Sequence, residues 1–85
     1  MTDVISSTRW WGIRVKAMRT ALSLTQRELA VKTGLDGVTQ TTISKIEAGK
    51  QEPSLLLAIE LSRVLGTPIE TLFTRPLVTD EQVAA

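Results

Sequence analysis

Four side chains on one short segment are equipped for chemistry. Gln40, Thr41, Ser44 and Lys45 lie in the stretch TQTTISKIEAG from Thr39 to Gly49 and bring together an amide, two hydroxyls and an ammonium. The chain has no histidine and no cysteine, so the usual general base, thiolate nucleophile and commonest metal ligands are missing. No paired carboxylates or glycine-rich phosphate loop take their place. The chemistry open to such a set is hydrogen bonding to a polar partner. Amides, hydroxyls and a long cation are the groups that address base edges and phosphates. The alternative is an ordinary polar helix face that happens to lack carboxylates, and this segment alone does not decide between the two.

That segment must be held by its neighbours. Thr39 is a natural N-cap, Ile43 and Ile46 sit three apart on one helical face, and Gly49 follows as a C-cap. A partner helix precedes it. Thr25 and Glu28 form a capping-box pattern, and Leu29 and Ala30 give that helix an apolar contact. Gly34-Leu35-Asp36-Gly37 breaks the pattern between the two. Upstream, Trp11, Val15, Met18 and Leu22 fall at spacings of four, three and four, which predicts a helix from about Arg9 to Leu22. Downstream, Ser54 caps a helix from Leu55 to about Leu65, stopped by Gly66. On it Leu55, Ala58, Ser62 and Leu65 make one stripe flanked by Ile59 and Leu61, with Leu56, Leu57 and Val64 left over. Thr67-Pro68-Ile69-Glu70 reads as a further cap, with Pro68 at the first helical position and Ile69, Leu72 and Phe73 on a short last helix. Arg75-Pro76 ends it. The expected organisation is a mobile leader at 1–8, one domain at 9–75 and a tail at 76–85.

Eighty-five residues make one small domain with a thin core. No apolar run is long enough to span a bilayer, and the N-terminus lacks the order of a signal peptide. A cytoplasmic location with no membrane partner, no metal and no cofactor is the expectation, by elimination. Net charge is only +1, but it is unevenly spread. From Arg9 to Lys50 there are eight Lys or Arg against three Asp or Glu, and from Gln51 onward two against five. The basic half coincides with the helix pair, a distribution that points toward nucleic acid.

Five helices and no convincing strand give an all-α reading. In sequence and order they resemble the lambda-repressor/Cro-like (Xre-type) helix-turn-helix family. The resemblance rests on Arg14-Val15-Lys16-Ala17-Met18-Arg19, Leu24-Thr25-Gln26-Arg27-Glu28-Leu29-Ala30 and Thr42-Ile43-Ser44-Lys45-Ile46-Glu47-Ala48-Gly49-Lys50. It continues through Pro53-Ser54-Leu55 and Leu65-Gly66-Thr67-Pro68-Ile69-Glu70-Thr71-Leu72-Phe73, covering roughly residues 12–74.

The resemblance implies a compact five-helix domain whose second and third helices form the helix-turn-helix, with no enzymatic activity. It implies a DNA-binding transcriptional regulator, a repressor of phage, plasmid or bacterial type. The recognition helix, about 39–48, would lie in the major groove of double-stranded DNA. Gln40 and Thr41 match the main base-contacting positions, with Ser44 and Lys45 behind them. Gln26 matches a phosphate-binding glutamine, and the loop Lys50-Gln51 approaches a phosphate. Arg14, Arg19, Thr25, Arg27 and Thr39 complete the phosphate contacts expected of this docking. Arg19 and Glu47 match positions that form an internal ion pair. Members bind pseudo-palindromic sites as homodimers, and the surplus apolar residues Leu56, Leu57 and Val64, with Pro68 and Phe73, are the expected interface. Gly34-Leu35-Asp36 is an insertion relative to the usual spacing, and a bulging turn is expected there. A toxin-binding antitoxin or a restriction–modification controller would share these features, so a protein partner such as a toxin or the transcription machinery stays open.

Overall fold

The computed structural model describes residues 2–73 and contains α1 (Thr2–Ala21), α2 (Gln26–Thr33), α3 (Gln40–Glu47), α4 (Leu55–Leu65) and α5 (Ile69–Phe73). All the regular structure in the described residues is helical. The expected stop at Arg75-Pro76 and the tail at 76–85 lie outside the described residues.

Local sequence sets most of the boundaries. The Thr25 hydroxyl accepts from the Glu28 N–H at 3.0 Å while the Glu28 carboxylate accepts from the Thr25 N–H at 2.8 Å, the reciprocal box that the spacing predicts. Thr39 caps α3 in the same way, with Thr42 closing the box by a hydroxyl in place of a carboxylate. Ser54 caps α4, and Gly34 and Gly66 end α2 and α4 in the left-handed conformation that glycine adopts without a Cβ penalty. After α3 the Lys50 N–H reaches back to the Lys45 carbonyl and the Gly49 N–H to that of Ile46, at 2.9 and 3.0 Å. That is a Schellman ending with Gly49 one place beyond the Ala48 cap. At α5 the ladder starts from the Pro68 carbonyl, which accepts from Leu72 at 3.1 Å, so Pro68 precedes the first helical residue. The Thr67 hydroxyl turns back to donate to the Leu65 carbonyl at 3.3 Å.

The first helix begins at Thr2, not near Arg9. No glycine or proline lies between Thr2 and Trp11 to interrupt it, and Ser6, Ser7 and Thr8 stand inside the helix.

Val15, Leu29, Ala30, Ile43, Ile46, Leu57, Leu61, Leu65 and Leu72 form a single buried cluster drawn from all five helices. Trp11 and Met18 pack against it as their spacing predicts, but Leu22 is 48% exposed. Helix α1 has ended by then and the chain reverses through Ser23, which takes a positive φ of 59°.

The α4 stripe is rotated from the expected one. Leu57, Ala58, Leu61 and Leu65 face the core, while Leu55 and Ile59 are 73% and 46% exposed. A helix apolar on several sides does not encode which side turns inward; packing against α1, α2 and α5 decides it. Leu57 is therefore core, not a free surface for a subunit contact, and Val64 and Phe73 pack partly against the same cluster. Of the expected interface residues, Leu56 and Pro68 are exposed.

The turn between α2 and α3 is anchored by two apolar side chains. Leu35 and Val38 rest on the core and are joined by a Val38 N–H to Leu35 carbonyl contact of 3.4 Å, while Asp36 and Gly37 project into solvent. The turn between α2 and α3 thus exposes Asp36 and Gly37 between two side chains that rest on the core.

Gly12 marks the closest approach of two helices. A Cβ there would press into the backbone carbonyls of Glu47 and Ile46 at the end of α3, well inside van der Waals contact. Gly12→Ala is expected to destabilise the protein by about 1–3 kcal/mol, the usual cost of overpacking against atoms that cannot yield, despite alanine's better helix propensity. The midpoint of chemical denaturation measures it, and an unchanged or raised midpoint would contradict the close packing of α1 on α3.

Candidate nucleic-acid interface

At the centre of the helix pair sits a buried ion pair. Arg19 on α1 and Glu47 at the end of α3 have side chains only 11% and 4% exposed. The Arg19 Nε donates to one carboxylate oxygen at 2.6 Å and Nη2 to the other at 3.1 Å, a bidentate fork. Nη1 donates to the Leu24 carbonyl at 2.7 Å, tying the turn before α2 to the same group. The hydrogen bond to Glu47 raises the Arg19 pKa above its ordinary value; burial opposes this and the carboxylate's charge adds to it. The sign is simple. A cation whose folded pKa is raised contributes its full stabilisation below the unfolded pKa, and for arginine that covers every working pH.

The pair extends outward. Gln26, at the start of α2, donates its Nε2 to the Glu47 Oε1 at 3.0 Å. Its Oε1 accepts from the Nε2 of Gln40, at the start of α3, also at 3.0 Å. A continuous path thus runs from a buried guanidinium to an exposed amide on the outer rim: Arg19, Glu47, Gln26, Gln40. It brings one expected phosphate-binding side chain and one expected base-reading side chain into contact.

Around that path the other expected residues are sorted. Thr41 and Lys45 are exposed on α3 and Ser44 is half-buried, so the polar face does turn outward. Arg27 is exposed, and with Val31, Val38, Thr39, Gln40 and Thr41 it lines a shallow groove between α2 and the start of α3. Thr25 and Thr39 are engaged as caps at the two helix starts. Lys50 and Gln51 are exposed in the loop after α3.

Two of the side chains expected at phosphates make bonds within the fold. Arg19 is enclosed, with all three guanidinium nitrogens turned to Glu47 and Leu24, so it acts inside the fold. Arg14 reaches α5, where Nη1 donates to the Thr71 carbonyl. Sequence reasoning missed Gly12, whose signal is a lone glycine inside an apolar-periodic helix. It also missed the bond between Gln26 and Gln40, which no local pattern encodes. A further tie is Arg63, which pairs with Glu60 at 2.6 Å and donates to the Lys32 carbonyl at 3.1 Å near the end of α2.

Two short helices packed together, with Gln40, Thr41 and Lys45 exposed on the second, have the arrangement of a helix-turn-helix protein. The helix-turn-helix family pattern matches residues 15–72, and the chain belongs to the Cro/lambda-repressor-like branch of that family. It is similar to proteins described as uncharacterized HTH-type transcriptional regulators. One from Archaeoglobus fulgidus is 42% identical over 60 residues, covering 71% of this chain and 80% of the relative. One from Methanocaldococcus jannaschii is 42% identical over 60 residues, covering 71% and 86%. A third, from Methanothermobacter thermautotrophicus, is 43% identical over 60 residues, covering 69% and 83%. No solved structure gives a significant match. No helix among the described residues is long and apolar enough to cross a membrane.

Removing one member of a buried ion pair leaves an uncompensated charge, at a cost of about 3–5 kcal/mol, whereas replacing both by apolar groups is often neutral. Arg19→Met is therefore expected to lower thermal stability sharply, and Arg19→Met with Glu47→Leu to recover most of the loss. Thermal unfolding of the two variants tests this, and an Arg19→Met midpoint equal to wild type would rule out a structural role for the pair.

Proposed function

We propose that the protein is a sequence-specific regulator of transcription, acting as a repressor, that binds a pseudo-palindromic site in double-stranded DNA as a homodimer. Helix α3 enters the major groove, and the start of α2 lies against the phosphate backbone. The observation that carries this reading is the state of Gln40. Its amide gives one N–H to Gln26. That leaves one N–H and the carbonyl oxygen, the donor and acceptor that match N7 and N6 of adenine. Thr41, Ser44 and Lys45 reach the neighbouring bases, Lys45 suiting a guanine.

Gln26 keeps a second N–H for a phosphate oxygen, next to the unpaired N–H groups that open α2. Arg27, Lys50 and Gln51 supply further phosphate contacts, with Thr25 and Thr39 at the helix starts. Names borne by the relatives support the regulator reading, since each is called a transcriptional regulator.

A second copy of the chain is the partner we assign to the exposed apolar face of α4. Leu55, Leu56 and Ile59 are 73%, 56% and 46% exposed there, and they take over the role expected of Leu57. A two-fold dimer places two α3 helices about one DNA turn apart.

Selection of bound duplexes from random DNA is expected to return a two-fold motif, with Gln40→Ala altering one symmetric base pair in it. No enriched motif from folded protein would refute the regulator reading. In sedimentation at tens of micromolar the protein is expected to be dimeric, alone or on the selected duplex, and Ile59→Glu monomeric; a wild type that is monomeric in both states rules out the dimer.

A further inference from the structure

We infer that Glu47, a residue that never meets DNA in this reading, fixes which base Gln40 prefers by setting the direction of the hydrogen-bond path between them. The inference rests on the proposed placement of Gln40 in the major groove.

A glutamine amide is nearly symmetric in shape but not in hydrogen bonding: one end only accepts and the other only donates. The bond between Gln26 and Gln40 could form in either of two directions. In one, Gln40 donates and Gln26 accepts. In the other the roles reverse, with hardly any change in shape. An isolated pair of glutamines would have no strong reason to choose.

Glu47 supplies the reason. Its carboxylate is gripped by both forks of Arg19, at 2.6 and 3.1 Å, and a carboxylate so paired only accepts. The Gln26 end that faces it, 3.0 Å from Oε1, must be the NH2 group. The other end of Gln26 is then an oxygen, and Gln40 must turn its own NH2 toward it, as it does at 3.0 Å. The reversed arrangement would set the Gln26 oxygen against a carboxylate that is itself only 4% exposed, leaving two acceptors without a proton between them.

The direction decides the outward face of Gln40. With Glu47 in place, Gln40 offers an N–H and an oxygen, which suit the N7 acceptor and N6 donor of adenine. Reversed, it would offer two N–H groups, which suit the two acceptors of guanine, N7 and O6. Glu47 is thus a positioning residue for specificity, and Gln26 is the link that transmits its polarity. The buried charge pair does more than hold α1 to α3.

The test uses full-length protein and a duplex obtained by selection, with the base pair assigned to Gln40 changed from adenine to guanine. Competition binding gives the preference at that position and at a second position in the same site as reference. Glu47→Gln keeps the size of the side chain but allows either direction. Gln26→Ala removes the link and leaves the ion pair intact, so it answers the question even where Glu47→Gln fails to fold. Each variant is expected to lose adenine-over-guanine preference at that base pair by on the order of tenfold, within the range that one bidentate contact supplies, with preference at the reference position unchanged. Gln26→Ala weakening binding equally to both duplexes, with the preference intact, would overturn the inference and leave Gln26 a phosphate contact only. Should Gln40→Ala change no preference anywhere in the site, the placement of Gln40 fails, and the inference with it.

Discussion

Everything on the outer face of this domain depends on one buried charge pair. Arg19 and Glu47 are taken out of water, which costs several kcal/mol per ion unless each hydrogen-bonding valence is satisfied. The fold offsets part of that cost by surrounding the pair. Nη1 of Arg19 draws in the Leu24 carbonyl, and the carboxylate draws in Gln26. Three segments consequently converge on one point: the end of α1, the first residue of α2 and the last residue of α3. Gly12 allows the convergence, because only a residue without Cβ lets the α1 backbone lie against the final carbonyls of α3. The seating of α3 against α1 and α2 thus has a cause in both electrostatics and packing.

The hydrophobic core supports the same geometry from below. Leu29 on α2 and Ile43 and Ile46 on α3 are completely buried, and α3 packs against both α1 and α2. Short helices of this kind are not stable alone. Their contact with Val15, Leu61 and Leu72 makes them rigid enough to present side chains at fixed positions. The turn between α2 and α3 is tied to the same core through Leu35 and Val38. A rigid scaffold with its amides already oriented loses less side-chain freedom on binding than a loose one, which favours affinity without adding contacts.

Much of this was legible in the sequence where the physics is local. Thr25 with Glu28, Thr39, Ser54, Gly34 and Gly66 each act through neighbours within a few residues, so their types and spacing predict where helices start and stop. The charge pair was legible only through the family resemblance, since a whole helix and two turns separate Arg19 from Glu47. The phase of α4 was not legible. Leu55, Leu56, Leu57, Ile59 and Leu61 are nearly equivalent as transfer energies, and only the positions of α1, α2 and α5 distinguish Leu57 from Leu55. The same limit applies to Arg14 and Arg19. Both are arginines on one basic helix, yet one is enclosed by a carboxylate and the other is drawn to the α5 backbone. The path from Gln26 to Gln40 needs three dimensions to be seen at all.

The central claim is that the outward amide of Gln40 is oriented by the buried pair before any ligand arrives. The most direct measurement is nuclear magnetic resonance of the glutamine side-chain amide protons in the free protein, in wild type and in Gln26→Ala. The account predicts that the Nε2 protons of Gln26 and Gln40 are dispersed and slow to exchange in wild type, and that those of Gln40 collapse to the values of a free glutamine when Gln26 is removed. Gln40 protons that already behave as free in wild type would contradict it.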